Sequence, residues 1–261
     1  MQRLAARPAA DLGTEHAHDL AVLTHHKCAS NWLIAYSRKL AELNGLSIGA
    51  THQSDAAFPD APDIAVVINA TYGFARQQGW TGVHVVRNPL DLACSAYYSH
   101  RDTHRLGSWA QLKLQRQILQ AVSKTEGMLL TLAFLERVDF DARVIGPFIS
   151  MRCWDYADAT YATLRMEDVV ADVEPTLGAA FKAHFGSDLK LPDPSEFVFE
   201  AFSRGRKPGE LDGASHYRLG QAGVWVDDLP EAAVRYIRLH QGDLLARFYP
   251  ECVAAAELVE A

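Results

Sequence analysis

The segment with the clearest chemical potential is VLTHHKCASNW, residues 22 to 32, where an apolar run ends in two histidines and a lysine. The run predicts a buried strand, and the apolar spacing after Ser30 predicts a helix. A helix that begins directly after a strand has unpaired backbone N–H groups and a positive dipole there, so it favours an anion. Lys27 adds a full positive charge to this turn. The segment therefore predicts an anion site, with a solvated surface lysine as the alternative.

A second strand and helix follow the same plan in GVHVVRNPLDLACSAYYSH, residues 82 to 100. Arg87 ends the apolar run VHVV. Asn88 and Pro89 then occupy the positions that suit an N-cap and a first helical residue. Another cation is therefore predicted where another strand turns into a helix.

Asp91 and Ser95 are four residues apart and share one face of this second predicted helix. If Asp91 helps to cap the helix start, the Ser95 hydroxyl turns toward the Arg87 guanidinium, and a second anion site results. Pairing of Arg87 with Glu167 or Asp168 is the structural alternative.

Neither turn has the composition of the common loop that binds nucleoside triphosphates. That loop, G-x-x-x-x-G-K-[ST], needs glycines that wrap the phosphates and a Ser or Thr that binds magnesium. The stretch HHKCASN supplies neither feature. The sequence therefore disfavours an ATP or GTP hydrolase.

Strands and helices alternate along the chain. Predicted strands cover residues 19–25, 46–50, 63–70, 83–86 and 161–169. Predicted helices cover residues 30–44, a segment from Pro89 onward, 109–137, 173–186 and the amphipathic segment 230–250. This order predicts an α/β fold, with a central parallel sheet flanked by helices on both faces.

The sequence predicts one domain, residues 19–261, after an N-terminal extension, residues 1–18. Residues 187–229 are rich in Pro, Gly, Asp and Ser, and no regular element is predicted between Arg204 and Trp225. We expect this long loop to act as a lid over a bound ligand.

The composition is that of a globular protein and disfavours nucleic-acid-binding and membrane-spanning proteins. Of 261 residues, 49% are hydrophobic and 22% are charged, as in globular proteins. A net charge of −7 disfavours a nucleic-acid surface, although local basic pockets are compatible with it. No apolar stretch is long enough to span a bilayer, and the N-terminal segment MQRLAARPAADLGTEHAHDL lacks the apolar centre of a signal peptide, so a cytoplasmic protein is expected.

Metal and disulfide sites are not indicated. The four cysteines lack C-x-x-C spacing, so we expect reduced thiols. The eleven histidines lack the H-E-x-x-H spacing of a metal site.

Three stretches, in this order, resemble motifs of the sulfotransferases that use 3′-phosphoadenosine 5′-phosphosulfate (PAPS) as sulfonyl donor. HHKCASNW resembles their 5′-phosphosulfate loop, VVRNPLDLACSAYYSH their 3′-phosphate strand and helix, and HYRLGQAGVW their C-terminal Arg-x-Gly segment. LRMEDV also resembles a Y-E-D strand end, with Met166 where a tyrosine that contacts adenine is common. The resemblance covers roughly residues 19–250 and implies a P-loop-like sulfotransferase fold.

The resemblance implies a set of donor contacts. They are His26, Lys27, Cys28, Ala29, Ser30, Asn31, Trp32, Arg87, Ser95, Arg218, Leu219 and Gly220. Lys27 would reach the oxygen that bridges phosphorus and sulfur, the backbone N–H groups of residues 28–31 would surround the 5′-phosphate, and Trp32 would stack on adenine. For Trp32, core packing is the alternative.

The 3′-phosphate would be held at the second turn and by the C-terminal motif. By resemblance, Arg87, Ser95 and Arg218 grip it, while the backbone at Leu219 and Gly220 closes over it. The family usually has a lysine at position 219, so one positive charge is missing from this chain.

A general base is also expected, because an acceptor hydroxyl must lose its proton during sulfonyl transfer. The K-T-H segment of the cytosolic branch is absent, since VVINATYGF has no histidine. Other branches place a glutamate near the position of His52, and an imidazole titrates near neutral pH, so His52 is the predicted base. His26, Asp55 and Tyr72 are alternatives, and His52 is otherwise a loop residue that caps its neighbours.

The expected function is sulfonyl transfer from PAPS to a hydroxyl, or an amine, of a small-molecule acceptor, with adenosine 3′,5′-bisphosphate (PAP) as product and no metal. A P-loop phosphoryl-transfer enzyme and a non-catalytic adenosine-bisphosphate-binding module are the alternatives. We expect the acceptor pocket to be built from residues 50–80, 98–110 and 140–155, with Tyr97, Tyr98, His100 and His104 nearby. The basic cluster Arg204, Arg206 and Lys207 is either a solvated face or a receiver of anions.

Overall fold

The computed structural model describes residues 20–55, 58, 60–107, 109–141 and 143–253. The strands are β1 (Leu20–Thr24), β2 (Ile48–Thr51), β3 (Ile64–Ile68), β4 (Thr81–Val86), β5 (Val138–Asp139), β6 (Val144–Ile145) and β7 (Tyr161–Arg165). The predicted N-terminal extension, residues 1–18, lies outside the described residues, as do residues 254–261.

Twelve α-helices lie in the described residues, and those in the first half of the chain alternate with strands. They are α1 (Ser30–Asn44), α2 (Tyr72–Gln78), α3 (Pro89–Tyr98), α4 (Ala110–Ala121), α5 (Lys124–Leu135), α6 (Pro147–Arg152), α7 (Met166–Ala171), α8 (Ala179–Phe185), α9 (Phe199–Phe202), α10 (Trp225–Asp228), α11 (Glu231–His240) and α12 (Gly242–Phe248). Ser99–Thr103 and Glu174–Gly178 form π-helical turns, and Pro194–Phe197 and Pro250–Cys252 form 3₁₀ turns. No described helix is both long and apolar enough to cross a bilayer.

The main sheet has the strand order β2-β3-β1-β4-β7, and all neighbouring strands are parallel. Every residue of β1 and of β3 is buried, because both faces of the central strands are covered. The central parallel sheet flanked by helices confirms the predicted fold class.

Alternate residues of β1 pack into different apolar clusters. Leu20 and Val22 pack with Leu33 of α1, whereas Ala21 and Leu23 pack with Trp154. This alternation follows from the two-residue period of a strand. The helices thus fix β1, and with it the turn that follows.

β1 and β4 are adjacent, with Leu20 beside Thr81 and Thr24 beside Val85. The chain continues from β1 to β2 on one side of this pair and from β4 toward β7 on the other. Ligands in such sheets bind in the crevice beyond the strand ends at this switch point. The two predicted anion-binding turns, around Lys27 and Arg87, therefore meet.

Several element boundaries differ from the sequence-based expectation. The predicted strand 161–169 ends at Arg165, where α7 begins with acidic residues in its first turn. The predicted helix 109–137 is two helices, because Ser123 and Glu126 form a capping box at the start of α5. The predicted C-terminal helix breaks at Gln241, whose side chain donates to the Phe148 carbonyl over 2.9 Å.

The predicted helix 173–186 begins as a π-helical turn and continues as α8 up to Gly186. The long segment 187–229 contains only short helices, and no helix or strand lies between Ser203 and Val224, as predicted. The β5–β6 hairpin and α2 had no counterpart among the predicted elements. All four cysteines are free thiols, and only Cys153 is exposed.

Candidate nucleotide-binding site

The turn after β1 is tight although it has no glycine. Lys27 (φ 68°) and Ala29 (φ 55°) both adopt the left-handed backbone conformation. For non-glycine residues this costs on the order of 1–3 kcal/mol each, and such strain is commonly found at functional sites. Cys28 N donates to the His25 carbonyl over 3.1 Å, and Thr24 Oγ1 donates to the Cys28 carbonyl over 3.2 Å.

Neighbouring strands hold this turn from both sides. The His26 N–H donates to Asn69 Oδ1, beyond β3, over 3.2 Å. Arg87, beyond β4, donates from Nη1 to the Lys27 carbonyl over 3.0 Å. The two anion-binding turns predicted from the sequence therefore lie in direct contact.

A cavity of about 1160 Å³ opens over this turn. It exceeds the usual 300–1000 Å³ of a small-ligand pocket, so it has room for more than one ligand. The predicted site residues on its walls are His26, Lys27, Ala29, Ser30, Asn31, Trp32, His52, Arg87, Ser95, Arg218, Leu219 and Gly220. Residues of all three segments predicted to form the acceptor pocket also contribute to the walls.

Cys28 differs from the other predicted phosphate contacts, because it does not line the cavity. Its side chain is fully buried in the apolar cluster around α3, away from the cavity walls. Its N–H group is already hydrogen-bonded to the His25 carbonyl. The candidate donors for an anion on this turn are therefore the first N–H groups of α1 beyond Ala29 and the Lys27 side chain.

Within the described ranges, no carboxylate forms an ion pair with Lys27 or Arg87, the two cations at the base of the cavity. Burial, and then the nearby Arg87, lower the pKa of Lys27 to about 7. Among the described residues, Arg87 Nε is buried without a hydrogen-bond partner. An anion placed here would relieve the repulsion and satisfy the unpaired donor.

Trp32 belongs mainly to the core. It is 6% exposed, its indole N–H donates to the Phe197 carbonyl over 2.7 Å, and its ring stacks on Tyr36. The ring reaches the cavity wall from this packed position. Phe197 was not predicted to take part, because it lies 165 residues away in the long segment.

The C-terminal motif HYRLGQAGVW, residues 216–225, contacts α3 through the side chain of Arg218. The Arg218 guanidinium lies 3.6 Å from the centre of the Tyr98 ring and 3.7 Å from Asp228. Gly220 has a φ of +67°, and an added Cβ would lie 2.6 Å from the Phe199 ring, so only glycine fits.

The sequence suggested that Asp91 helps to cap α3, but its side chain does not do so. Asn88 does so, by accepting from Leu90 N over 3.0 Å. The buried Asp91 carboxylate instead accepts from Gly223 N over 2.7 Å and from Trp225 N over 3.3 Å. Asp91 therefore ties the end of the long segment to the first turn of α3.

The basic cluster near residue 206 divides into two kinds of side chain. Arg206 donates to the carbonyls of Glu210, Tyr217 and Arg218. These hydrogen bonds hold parts of the long segment together. Arg204 and Lys207 are exposed.

The candidate bases occupy different places. His52 lines the cavity, where desolvation lowers its pKa, and its carbonyl accepts from Asn69 Nδ2 over 2.8 Å. Asp55 is paired with Arg143 at 2.9 Å, and Tyr72 donates to Asp158 over 3.0 Å, both away from the cavity walls. Of the four candidates, His52 and His26 are the two that line the cavity.

A cluster of four histidines lies beside Lys27 in the cavity, and sequence reasoning identified it only in part. His26 and His100 share a hydrogen bond between their Nε2 atoms over 2.8 Å, while His104 and His216 complete the group. Burial is the main cause that lowers the pKa of His104 and of His216 to about 4. The only sequence signal for His216 is its place two residues before Arg218.

The described residues contain no group of His, Cys, Asp and Glu side chains arranged to hold a metal ion. A second histidine pair, His25 and His84, is fully buried beneath the turn with its Nε2 atoms 2.7 Å apart. His84 also stacks on Trp154, with the ring centres 3.6 Å apart. This pair supports the sheet and does not line the cavity.

Solved structures with this architecture include mouse sulfotransferase SULT7A1 complexed with PAP. It has 15% sequence identity and a TM-score of 0.58, over 90% of this chain and 87% of the other. The chain has the sulfotransferase fold. Retinol dehydratase in complex with androsterone and inactive cofactor PAP matches at 13% identity and a TM-score of 0.52, over 90% of this chain and 83% of the other. No protein-family model matches the chain, and no curated sequence matches it significantly.

Proposed function

We propose that the protein is a sulfotransferase that moves a sulfonyl group from PAPS to a hydroxyl or amine of a small-molecule acceptor and releases PAP. The observation that carries this proposal is the convergence of Lys27 and Arg87, from two separate strand-to-helix turns, on one cavity. The sulfotransferase fold, with two PAP-bound structural neighbours, supports it.

The donor is proposed to lie across the ends of β1 and β4. The first turn of α1 and Lys27 would bind its 5′ end, because helix N–H groups and an ammonium both attract a phosphosulfate. Arg87, Ser95 and Arg218 would bind the 3′-phosphate, and Trp32 would meet the adenine from its packed position. Leu219 would contribute its backbone alone, since it stands where the family usually has a lysine.

Lys27 is proposed as the main source of rate acceleration. During in-line transfer the acceptor oxygen bonds to sulfur while the bond from sulfur to the bridging oxygen breaks. Negative charge therefore grows on the leaving phosphate of PAP. A fixed ammonium that binds this charge more strongly than the ground state lowers the barrier.

The acceptor proton is proposed to pass to His52, with His26 as the alternative. Both line the cavity, and both are neutral imidazoles that can accept the proton of the acceptor, since desolvation lowers the pKa of each. The segment 187–229 is proposed to cover the bound ligands, since residues 197–222 contribute many of the cavity walls and Asp91 fixes its end.

Calorimetric titration tests donor recognition. PAP should bind more tightly than ATP with magnesium, whereas an ATP preference would favour a phosphoryl-transfer enzyme. Turnover is tested by mass spectrometry of a hydroxyl-compound library incubated with PAPS. A sulfo group on at least one compound is expected; PAP binding without any such product would indicate a non-catalytic binding module.

A further inference from the structure

The four-histidine cluster, defined as His26, His100, His104 and His216, forms a compact wall beside Lys27. The ring centres of His26 and His104 are 5.3 Å apart, and those of His104 and His216 are 6.3 Å apart. Trp109 closes the wall edge-on, 5.6 Å from the His104 ring. The proposed donor contacts account for His26 alone.

The cluster is held by elements that approach from different directions. His100 and His104 lie in and directly after the π-helical turn that follows α3, and Arg116 of α4 donates to the His100 carbonyl over 3.0 Å. His216 comes from the long segment. The rings are thus positioned by the fold, as expected of a built site and not of a mobile surface patch.

The charged and titratable groups that act most on these four rings are basic. Besides the rings themselves they are Lys27, His52, Arg105, Arg116 and Arg137. The nearby carboxylates are engaged elsewhere: Asp139 pairs with Arg137 at 3.0 Å, and Glu167 accepts from Asn88 N and the Tyr249 hydroxyl. Within the described part of the chain, the cluster is therefore surrounded mainly by potential cations, and no carboxylate is among the groups whose charges act most on its rings.

We propose that this cluster is an oxyanion subsite that receives the tetrahedral sulfonyl group of the donor, and that its occupation is coupled to proton uptake by the imidazoles. The proposal rests on the proposed function, because that function supplies the sulfonyl group. A protonated imidazole donates from both ring nitrogens, so each proton gained adds a charge-assisted hydrogen bond to the oxyanion.

Proton uptake follows from the balance between burial and charge. Burial and the neighbouring cations keep the pKa of His104 and of His216 at about 4, so both are neutral near pH 7. A bound oxyanion favours the charged form and raises these pKa values. Between the lowered and the raised pKa, oxyanion affinity therefore increases as pH falls, by up to about tenfold per pH unit for each proton taken up.

The experiment uses the full chain saturated with PAP, and sodium sulfate as the probe of the subsite. Calorimetry at constant ionic strength, in two buffers with different heats of ionisation, gives both the affinity and the number of protons taken up. We expect sulfate affinity to rise roughly tenfold or more from about pH 8 to about pH 6, with uptake of about one proton.

The variants His216→Gln and His104→Gln should each reduce the proton uptake and flatten the pH dependence. His216 comes from the long segment and keeps part of its surface accessible to solvent, although the neighbouring groups partly desolvate its ring, so its replacement should not disturb the core. His240→Gln on α11 is the matched control with unchanged behaviour. Absent or pH-independent sulfate binding to the PAP complex would overturn the proposed subsite. Unchanged proton uptake in both the His216→Gln and the His104→Gln variant would also overturn it. Failure to bind PAP would instead overturn the proposed function.

Discussion

Arg87 donates a hydrogen bond to the carbonyl oxygen of Lys27 over 3.0 Å. The contact joins the ends of two adjacent parallel strands, and it points the cations of both turns at one cavity. It also contributes to the low pKa of Lys27, because the guanidinium disfavours a second positive charge nearby. Each of the two residues can therefore be tested for a separate part of the proposed reaction.

Replacement of Lys27 by alanine should abolish most turnover but should weaken the binding of PAP only modestly. The ammonium acts on charge that grows on the leaving oxygen, and loss of one such group costs about 10²–10³-fold in kcat. Steady-state rates and PAP calorimetry on the same variant separate the two effects. Lys39→Ala, on the outer part of α1, is the control that should leave both unchanged.

Replacement of Arg87 by alanine should mainly weaken PAP binding. The variant loses a charged ligand for the 3′-phosphate, and removal of one partner of a buried charge pair costs about 2–5 kcal/mol. Calorimetry should therefore give a loss of affinity of at least about tenfold. Intact PAP affinity combined with lost turnover would reverse the roles assigned to Arg87 and Lys27.

His52→Ala should lower the rate of sulfonyl transfer by about a hundredfold or more, the usual effect of removing a positioned base. Asp55→Asn and Tyr72→Phe serve as controls, because both side chains are engaged outside the cavity. Rates are compared with a hydroxyl acceptor found in the library screen. A near-normal rate for the His52 variant would transfer the role to His26.

Acid should destabilise the protein through the buried pair His25 and His84. Burial lowers the pKa of His25 to about 3 and that of His84 well below its usual value. Because the unfolded chain binds protons below about pH 6.5 and the folded pair does not, stability is lost as pH falls from there toward pH 3. The expected slope is about 1.4 kcal/mol per pH unit for each neutral histidine.

Urea unfolding from about pH 7 to about pH 5 measures this slope. His84→Gln keeps a hydrogen-bonding side chain beside His25 but does not titrate, so the slope should be shallower than in the original chain. His240→Gln provides the reference for removal of a histidine outside the sheet. An unchanged slope in the His84 variant would show that other groups cause the acid sensitivity.

The fold was predictable because its signals are local. Short β-branched runs such as 64–68 and the Asn88-Pro89 cap gave the strands and the start of α3 close to their observed places. The β5–β6 hairpin escaped prediction because its two-residue strands are too short for a periodic pattern. The break before α5 was not predicted, because the capping box formed by Ser123 and Glu126 lies within a long run of helix-forming residues.

The site was predictable to the extent that it lies at strand ends. Lys27 and Arg87 follow neighbouring parallel strands, so sheet topology alone brings them together. Long-range partners had no such signal: Asp91 binds the backbone of Gly223, 132 residues away, and nothing in the local sequence indicates that choice. The same holds for His216, whose approach to His104 depends on the path of the long segment.

The most direct test of the account is a crystal structure of the protein with PAP. The 5′-phosphate should lie within hydrogen-bonding distance of Lys27 and the first turn of α1, and the 3′-phosphate should contact Arg87, Ser95 and Arg218. A nucleotide bound with either phosphate remote from these groups, or bound elsewhere on the molecule, would contradict the proposal that the two turns hold one doubly phosphorylated adenosine.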